Sequence, residues 1–314
     1  NGKVIHRDWD LPAVFLSIEA RRLGLKVTVS TAMFPSGHPA TREGLVYDGH
    51  VRDGKTCLEY TPDGKMLDIR EDKKKVGAFL NPVRKDVAKF ALSIVREIVE
   101  NYDVDAYALD YCRYPGDDSD FSADSRKAFE HYLGKKGPEL SRRYFSLGMP
   151  MERKNPGIYY KEWWAFRANV ITSFVKEVRK EIHSINNKVK LEYWAASWIH
   201  GIYGQGEWAS PKSDFSLNYP WGSEAYNESG FAPYLDTFLC GTYLERIYGM
   251  DDPESIEYGI ARAQRLVGND ASIGTIYALN HKTNIADAVS LCLEKSEGLM
   301  IFDIVQVIGN DLMG

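Results

Sequence analysis

The chain has no CxxC pair. Its four cysteines, Cys57, Cys112, Cys240 and Cys292, lie far apart, which excludes a zinc ribbon and a thioredoxin-type motif. There is no HxH and no HExxH, and the seven histidines are dispersed, so no metal site and no cofactor are expected. A GxSxG elbow is missing too, which removes the usual frame of a nucleophilic serine hydrolase. The nearest approach to a dinucleotide loop is "GIYGQG", Gly201 to Gly206, whose spacing is wrong and which does not open a helix. No apolar run reaches about 18 residues, so no membrane span is expected. A basic-plus-apolar leader does not open the chain, so no signal peptide is read at its start. Nor is positive charge in excess: 39 Lys and Arg stand against 44 Asp and Glu. A formal net charge of -5 argues against a nucleic-acid partner, because such proteins gather Lys and Arg on one face. A neutral or polar substrate fits better.

What is present is a long run of alternating segments. At 314 residues and 44% hydrophobic content the chain can bury a large core, and a single α/β barrel reaches this size. The clearest unit starts at Asn81, a candidate cap, with Pro82 suited to a first helical turn. Apolar residues then recur with a period near 3.6 through Val83, Val87, Phe90, Ala91, Ile94, Val95, Ile98, Val99 and Tyr102, and a strand follows at Ala106–Cys112. The same cycle places helix Leu11–Leu23 before strand Lys26–Phe34 and helix Trp163–Ile185 before strand Val189–Ser197. A strand at Leu235–Glu245 comes next, then helix Pro253–Val267 before Ala271–Leu279, and helix Ile285–Lys295 before Gly298–Val307.

Helices meet the next strand through short turns, and the loops after the strands are long. That asymmetry predicts a TIM-type (β/α)8 barrel as one domain over residues 1–314, with function on the loops at the strands' C-terminal ends. A doubly wound sheet is the rival architecture. Six strands leave the first two βα units missing or irregular. "TCLEYTPDGKMLDI", Thr56 to Ile69, reads as a hairpin around a Pro-Asp-Gly turn, part of an insertion spanning about residues 45–75.

Chemistry is expected around "VDAYALDYCRYPGDD". Strand alternation puts Tyr107, Leu109 and Tyr111 on one face and Ala106, Ala108, Asp110 and Cys112 on the other. The small face suits a barrel lumen, so Asp110 is read as facing it near the top, with Arg113 as its partner. A carboxylate there is costly unless it is paired or used. Cys112 reads as small apolar filler.

Three further acids interrupt apolar strands: Glu245, with Tyr243 on the same face; Asp303, inside "LMIFDIVQV"; and Glu192, which lies early in its strand and therefore deep. Each is either a satisfied structural acid or the second carboxyl of a glycosidic site, where two acids work as a pair. The segment Trp194–Tyr226 is rich in rings. Trp198 and Trp208 are candidates to stack on sugar, with His200 and Glu207 in reach of hydroxyls, although large aromatics also close loops over a core.

"FLNPVRKDVAKFALSIVREIVENYDVDAYALDYCRYP", together with "DFSADSRKAFEHYLGKK", "EWAS" and "MIFDIVQV", resembles the family-10-like glycosyl hydrolases, distant relatives of the α-amylase superfamily. The motif Asp110–Pro115 is the most specific part. The resemblance implies a TIM-type barrel, often exported, that acts on or binds a polysaccharide or oligosaccharide, and it puts Asp110 at the nucleophile position of strand four. The sequence departs from the amylase pattern in having Ala108 where that pattern has Arg, with Arg113 following instead, and no acid at the end of strand Val189–Ser197. The expectation is therefore a glycoside hydrolase with Asp110 as nucleophile or base, Glu245 as acid with Asp303 competing, and Arg113, Tyr111 and Tyr243 positioning the sugar. A non-catalytic carbohydrate-binding barrel is the alternative.

Overall fold

The computed structural model describes residues 18–51, 54–61, 65–134, 136, 157–197, 222–268 and 272–312. Six parallel strands make one sheet in the order β1 (Thr28–Ala32), β4 (Ala106–Asp110), β5 (Lys190–Ala196), β6 (Thr237–Gly241), β7 (Ser272–Tyr277), β8 (Leu299–Phe302). Between the first two, β2 (Leu58–Tyr60) and β3 (Met66–Asp68) pair antiparallel as a hairpin.

The order never reverses, which excludes a doubly wound sheet. The helices pack on the face of the sheet that carries Tyr107, Leu109, Leu191 and Tyr193, and the opposite face lines a hollow. The helices are α1 (Lys85–Asn101), α2 (Ala123–Tyr132), α3 (Tyr160–Ile185), α4 (Glu224–Glu228), α5 (Ile256–Val267), α6 (Ile285–Lys295) and α7 (Ile304–Gly309). The sheet is an open, curled half-barrel of TIM type, with β1 and β8 as its edges among the described strands.

Apolar residues of the helix-facing side build the main core. Tyr107, Leu109, Leu191 and Tyr193 pack there with Val87, Ala91 and Val95 of α1 and Trp163, Trp164, Ile171, Phe174, Val175, Val178 and Ile182 of α3. A smaller cluster, including Ile256, Ile260, Ile276, Leu291 and Cys292, joins α5 and α6 to the β7 end. All four cysteines are free and buried.

Several boundaries differ from the sequence reading, and three of them bear on candidate residues. Asn81 does not cap α1, which starts at Lys85; its Oδ1 accepts from Val83 N at 3.0 Å and its Nδ2 donates to Asp120 at 2.6 Å. Competition from a buried carboxylate thus turns a helix cap into a loop tie. The strand expected through Val307 ends at Phe302, because Asp303 accepts from Gln306 N at 3.0 Å and caps α7. The strand expected through Glu245 ends at Gly241. Of the helix expected at Leu11–Leu23, residues 18–22 are helical, Leu23 lies in the turn that follows, and residues 11–17 lie outside the described residues.

The hairpin is pinned to the loop after β4 by buried charge. Lys75 Nζ lies 3.0 Å from Glu59 and 2.7 Å from Asp118. Burial outweighs the pull of Lys75 and pushes the Glu59 pKa from 4.5 up to about 7, with Asp118 adding repulsion. Burial also draws the Lys75 ammonium down, and the two carboxylates more than offset it. A raised folded-state pKa means that the folded protein binds the Glu59 proton more tightly than the unfolded chain does. The associated stability is complete below pH 4.5 and is lost as pH rises through about 7. Up to about 3 kcal/mol should disappear across that window, and Glu59→Gln should flatten the profile; urea unfolding at stepped pH checks this.

Candidate functional site

The concave face carries a cavity of about 780 Å³ to which all six parallel strands contribute, together with Tyr111, Arg113 and Tyr243 beyond the strand ends. Its two walls differ. Thr28, Ser30, Asp110, Arg113 and Glu192 make one side polar, and Leu239, Ile273, Leu299, Met300 and Phe302 make the other apolar.

Asp110 ends β4 and lines this cavity with Ala108, the small face that alternation assigns to the lumen. Burial raises its pKa above the ordinary carboxylate value, against a 2.8 Å bond from Tyr111 N and the attraction of Arg113. Regular alternation would send Tyr111 to the helix side. Instead its φ of 45° breaks the pleat, so two successive residues, Asp110 and Tyr111, line the same cavity. A bulky residue in the left-handed region costs about 1–2 kcal/mol, and such strain concentrates at functional sites. Cys112 is consequently carried into the helix-side core rather than the lumen, where its carbonyl accepts from Tyr193 Oη at 2.5 Å.

Arg113 is held flat. Its guanidinium lies 4.8 Å from the Tyr111 ring centre and 5.4 Å from that of Phe79, and its Nη1 donates to Tyr114 O at 3.1 Å. At 8% exposure it still lines the cavity, a cation fixed at the mouth. Behind it, the buried Arg167 of α3 lies 4.3 Å from the Tyr114 ring and donates to Gly116 O at 2.6 Å, fastening the loop to the helix layer.

Tyr243 sits in an aromatic row: 5.1 Å from Trp194, 5.8 Å from Phe302 and 5.9 Å from Tyr277, ring centre to ring centre. Burial raises its phenol pKa, and the charges of Asp110 and, more weakly, Asp303 raise it further while Trp194 opposes. The fields of both carboxylates therefore meet at this hydroxyl.

Glu245 does not join them. It is exposed and absent from the cavity lining, since β6 stops at Gly241 and tight turns from Leu244 N to Thr242 O and Thr242 N to Cys240 O destroy the alternation that placed it inward. Asp303 lies just past Phe302, which lines the cavity, and its Oδ1 is engaged as the α7 cap. Glu192, judged too deep from sequence, does line the cavity. Trp198, His200, Glu207 and Trp208 lie outside the described residues. Trp194 is the sugar-stacking candidate that the structure adds; its β5 phase was readable, but it was not singled out from the rings that follow.

Trp194 depends on a glycine. A Cβ at Gly241 would stand 2.5 Å from Trp194 Cζ2 and 2.9 Å from Ala195 O. Gly241→Ala should destabilise by about 1–3 kcal/mol and push the indole into the cavity, which denaturation and intrinsic fluorescence would register.

Among the described residues no group of three or more His, Cys, Asp or Glu side chains is placed to hold a metal, and no helix is long and apolar enough to cross a membrane.

Residues 69–206, which include the Asp110–Pro115 motif, match the model of a family described as glycosyl hydrolase-like 10, and the resemblance read from the sequence is borne out. An S-layer-related protein of Niallia circulans is 29% identical over 321 residues, a match covering 96% of this chain and 19% of that protein. The chain thus spans about a fifth of its relative's length. Among solved structures, the PgaB (BpsB) glycoside hydrolase domain of Bordetella bronchiseptica is similar at TM-score 0.58 and 13% identity, covering 94% of this chain and 76% of that one. A beta-galactosidase from Bacillus circulans sp. alkalophilus is similar at TM-score 0.56 and 10% identity, covering 96% and 43%. Alpha-L-fucosidase isoenzyme 2 from Paenibacillus thiaminolyticus follows at 0.55 and 11%, covering 95% and 38%. At these identities the likeness is one of fold.

Proposed function

We propose, from the match to glycosyl hydrolase-like 10, that this chain is the barrel of a glycoside hydrolase acting on a polysaccharide or oligosaccharide through two carboxyl groups. The observation that carries the reading is Asp110: a half-buried acid at the C-terminal end of a barrel strand, opening into a cavity beside a fixed guanidinium. That is where barrel enzymes place their chemistry. The gap between β8 and β1 is, in this reading, the place of the first two βα units of a complete ring.

Asp110 acts ionised, as nucleophile on the anomeric carbon or as base on a water. A second carboxyl gives its proton to the departing glycosidic oxygen. Asp303 takes that role, because it directly follows Phe302 of the cavity lining and the helix cap engages its Oδ1. Arg113, Tyr111 and Tyr243 position the sugar, and Trp194, Trp198, Trp208 and His200 supply stacking and hydroxyl contacts. An exported, cell-surface setting accords with the name of the Niallia circulans relative.

A second reading, a carbohydrate-binding barrel without catalysis, is favoured by the exposure of Glu245 and the capping duty of Asp303. The two separate on one experiment: reducing-end release from a panel of plant and bacterial polysaccharides by the wild type and by Asp110→Asn. Release that the variant loses supports the hydrolase; retention of polysaccharide without any release supports the binder.

A further inference from the structure

The cavity continues below Asp110, and its lower end is polar where a closed barrel is packed with branched apolar side chains. The ladders define that layer. Ser30 pairs with Ala108, and Ala108 pairs with Glu192, so Ser30, Ala108 and Glu192 form one rung across β1, β4 and β5. One step lower, Thr28 pairs with Ala106. Asp110 lies two residues above Ala108 on β4, roughly 6.6 Å higher at the strand rise.

Ala108 carries only a methyl group between the two polar neighbours, whose strands stand roughly 9.6 Å apart, about two inter-strand spacings. The Glu192 carboxylate reaches across that gap to bond the Thr28 hydroxyl, so Thr28, Ser30 and Glu192 make one polar floor directly under Asp110. Thr28, Ser30 and Glu192 all line the cavity, and Glu192 is half-buried. An acid on an inner barrel face is costly unless it has a use. Burial raises the Glu192 pKa, with Lys190 and the Thr28 hydroxyl opposing.

We propose that Glu192, with Ser30 and Thr28, forms a hydroxyl-reading subsite at the buried end of the cavity and determines which sugar epimer is accepted. The inference deepens the glycoside hydrolase reading and rests on it for the sugar. Glu192, bonded to the Thr28 hydroxyl, accepts from the ring hydroxyls above it, and Ser30 exchanges bonds with them from β1. The apolar wall of Leu239, Ile273 and Leu299 covers the C–H face of the ring. A hydroxyl moved by epimerisation leaves the carboxylate unpaired, which is the strongest kind of discrimination available to a polar pocket.

The test uses Asp110→Asn, which holds saccharide without turnover, with glucose, galactose and mannose as probes in titration calorimetry. Glu192→Gln and, separately, Ser30→Ala are added to that background, with thermal melts to verify folding. The proposal expects one epimer to be preferred, that preference to fall by about tenfold to a hundredfold in Glu192→Gln, and a smaller fall in Ser30→Ala. An unchanged preference in folded variants, or no binding of any of the three hexoses, overturns it. Release of reducing ends by the wild type is scored independently, so failure of the hydrolase reading shows as epimer-selective binding without release. In a wild-type background, loss of turnover number at unchanged KM in Glu192→Gln would also overturn it, by making the residue the proton donor.

Discussion

Asp110→Asn is expected to remove saccharide hydrolysis by about 10³-fold or more while leaving the fold intact. The amide is the same size as the carboxyl, and the bond that the structure gives the carboxyl, from Tyr111 N, is one an amide oxygen also accepts. What is lost is charge. A nucleophile or base must be ionised, and burial holds the Asp110 pKa above the ordinary carboxylate range, with Tyr111 N and Arg113 pulling it only part of the way back. The rate kcat/KM should therefore climb with pH through that raised value, so that the acid limb lies above about pH 4. Arg113→Ala removes the opposing cation and should move the limb further upward. A wild-type limb at the ordinary carboxylate position, or an Asn variant with unaltered turnover, would remove Asp110 from the chemistry.

The second large effect concerns Asp120, which touches nothing in the cavity. Its fully buried carboxylate accepts from Leu58 N (2.6 Å), Asn81 Nδ2 (2.6 Å), Ser122 Oγ (2.5 Å), Ser125 Oγ (2.6 Å) and Ser122 N (3.3 Å). Those donors belong to the hairpin, the loop before α1 and the start of α2, so one side chain fastens three segments behind the Asp110–Pro115 motif. In Asp120→Ala the serine hydroxyls can turn to other acceptors and Asn81 Nδ2 falls back on Ser122 Oγ (3.0 Å) and Ser125 Oγ (3.4 Å), but Leu58 N is left buried without an acceptor. One such group costs about 1–3 kcal/mol, and with the other bonds lost about 2–4 kcal/mol of stability should go, measured by urea unfolding. Activity should fall through KM rather than kcat, because the loop carrying Arg113 loosens while Asp110 stays on β4. A loss below about 1 kcal/mol would mean that the three segments are held independently.

Much of this site was readable before any coordinates. "AYALD" alternates large and small residues, so the face bearing Asp110 followed from the pleat alone, and the cavity lining agrees. Arg113 and Tyr243 came from the same reading of strand ends. The miss comes where a strand stops. Glu245 was placed inward by extending alternation past Gly241, yet the ladder hydrogen bonds that sustain alternation run out there. Tyr111 packs against the main core, as alternation expects, but also lines the cavity, because nothing in its neighbours announces a φ of 45°.

Glu192 teaches the opposite lesson. It was kept as a candidate but ranked below Glu245 and Asp303 for its depth, yet it is the one of the three that lines the cavity. Whether a deep acid meets a packed core or open space depends on which side chains stand opposite, on β1 and β8, far away in the chain.

The order of strands and helices, the inward face of β4 and the identity of the acid on it were set by local periods of 3.6 and 2, which any short window of sequence contains. Where each strand ends, which way Tyr111 turns and which polar groups share the hollow were set by pairings between residues as distant as Ser30 and Glu192. Those depend on hydrogen bonds and packing that exist only once the sheet has curled.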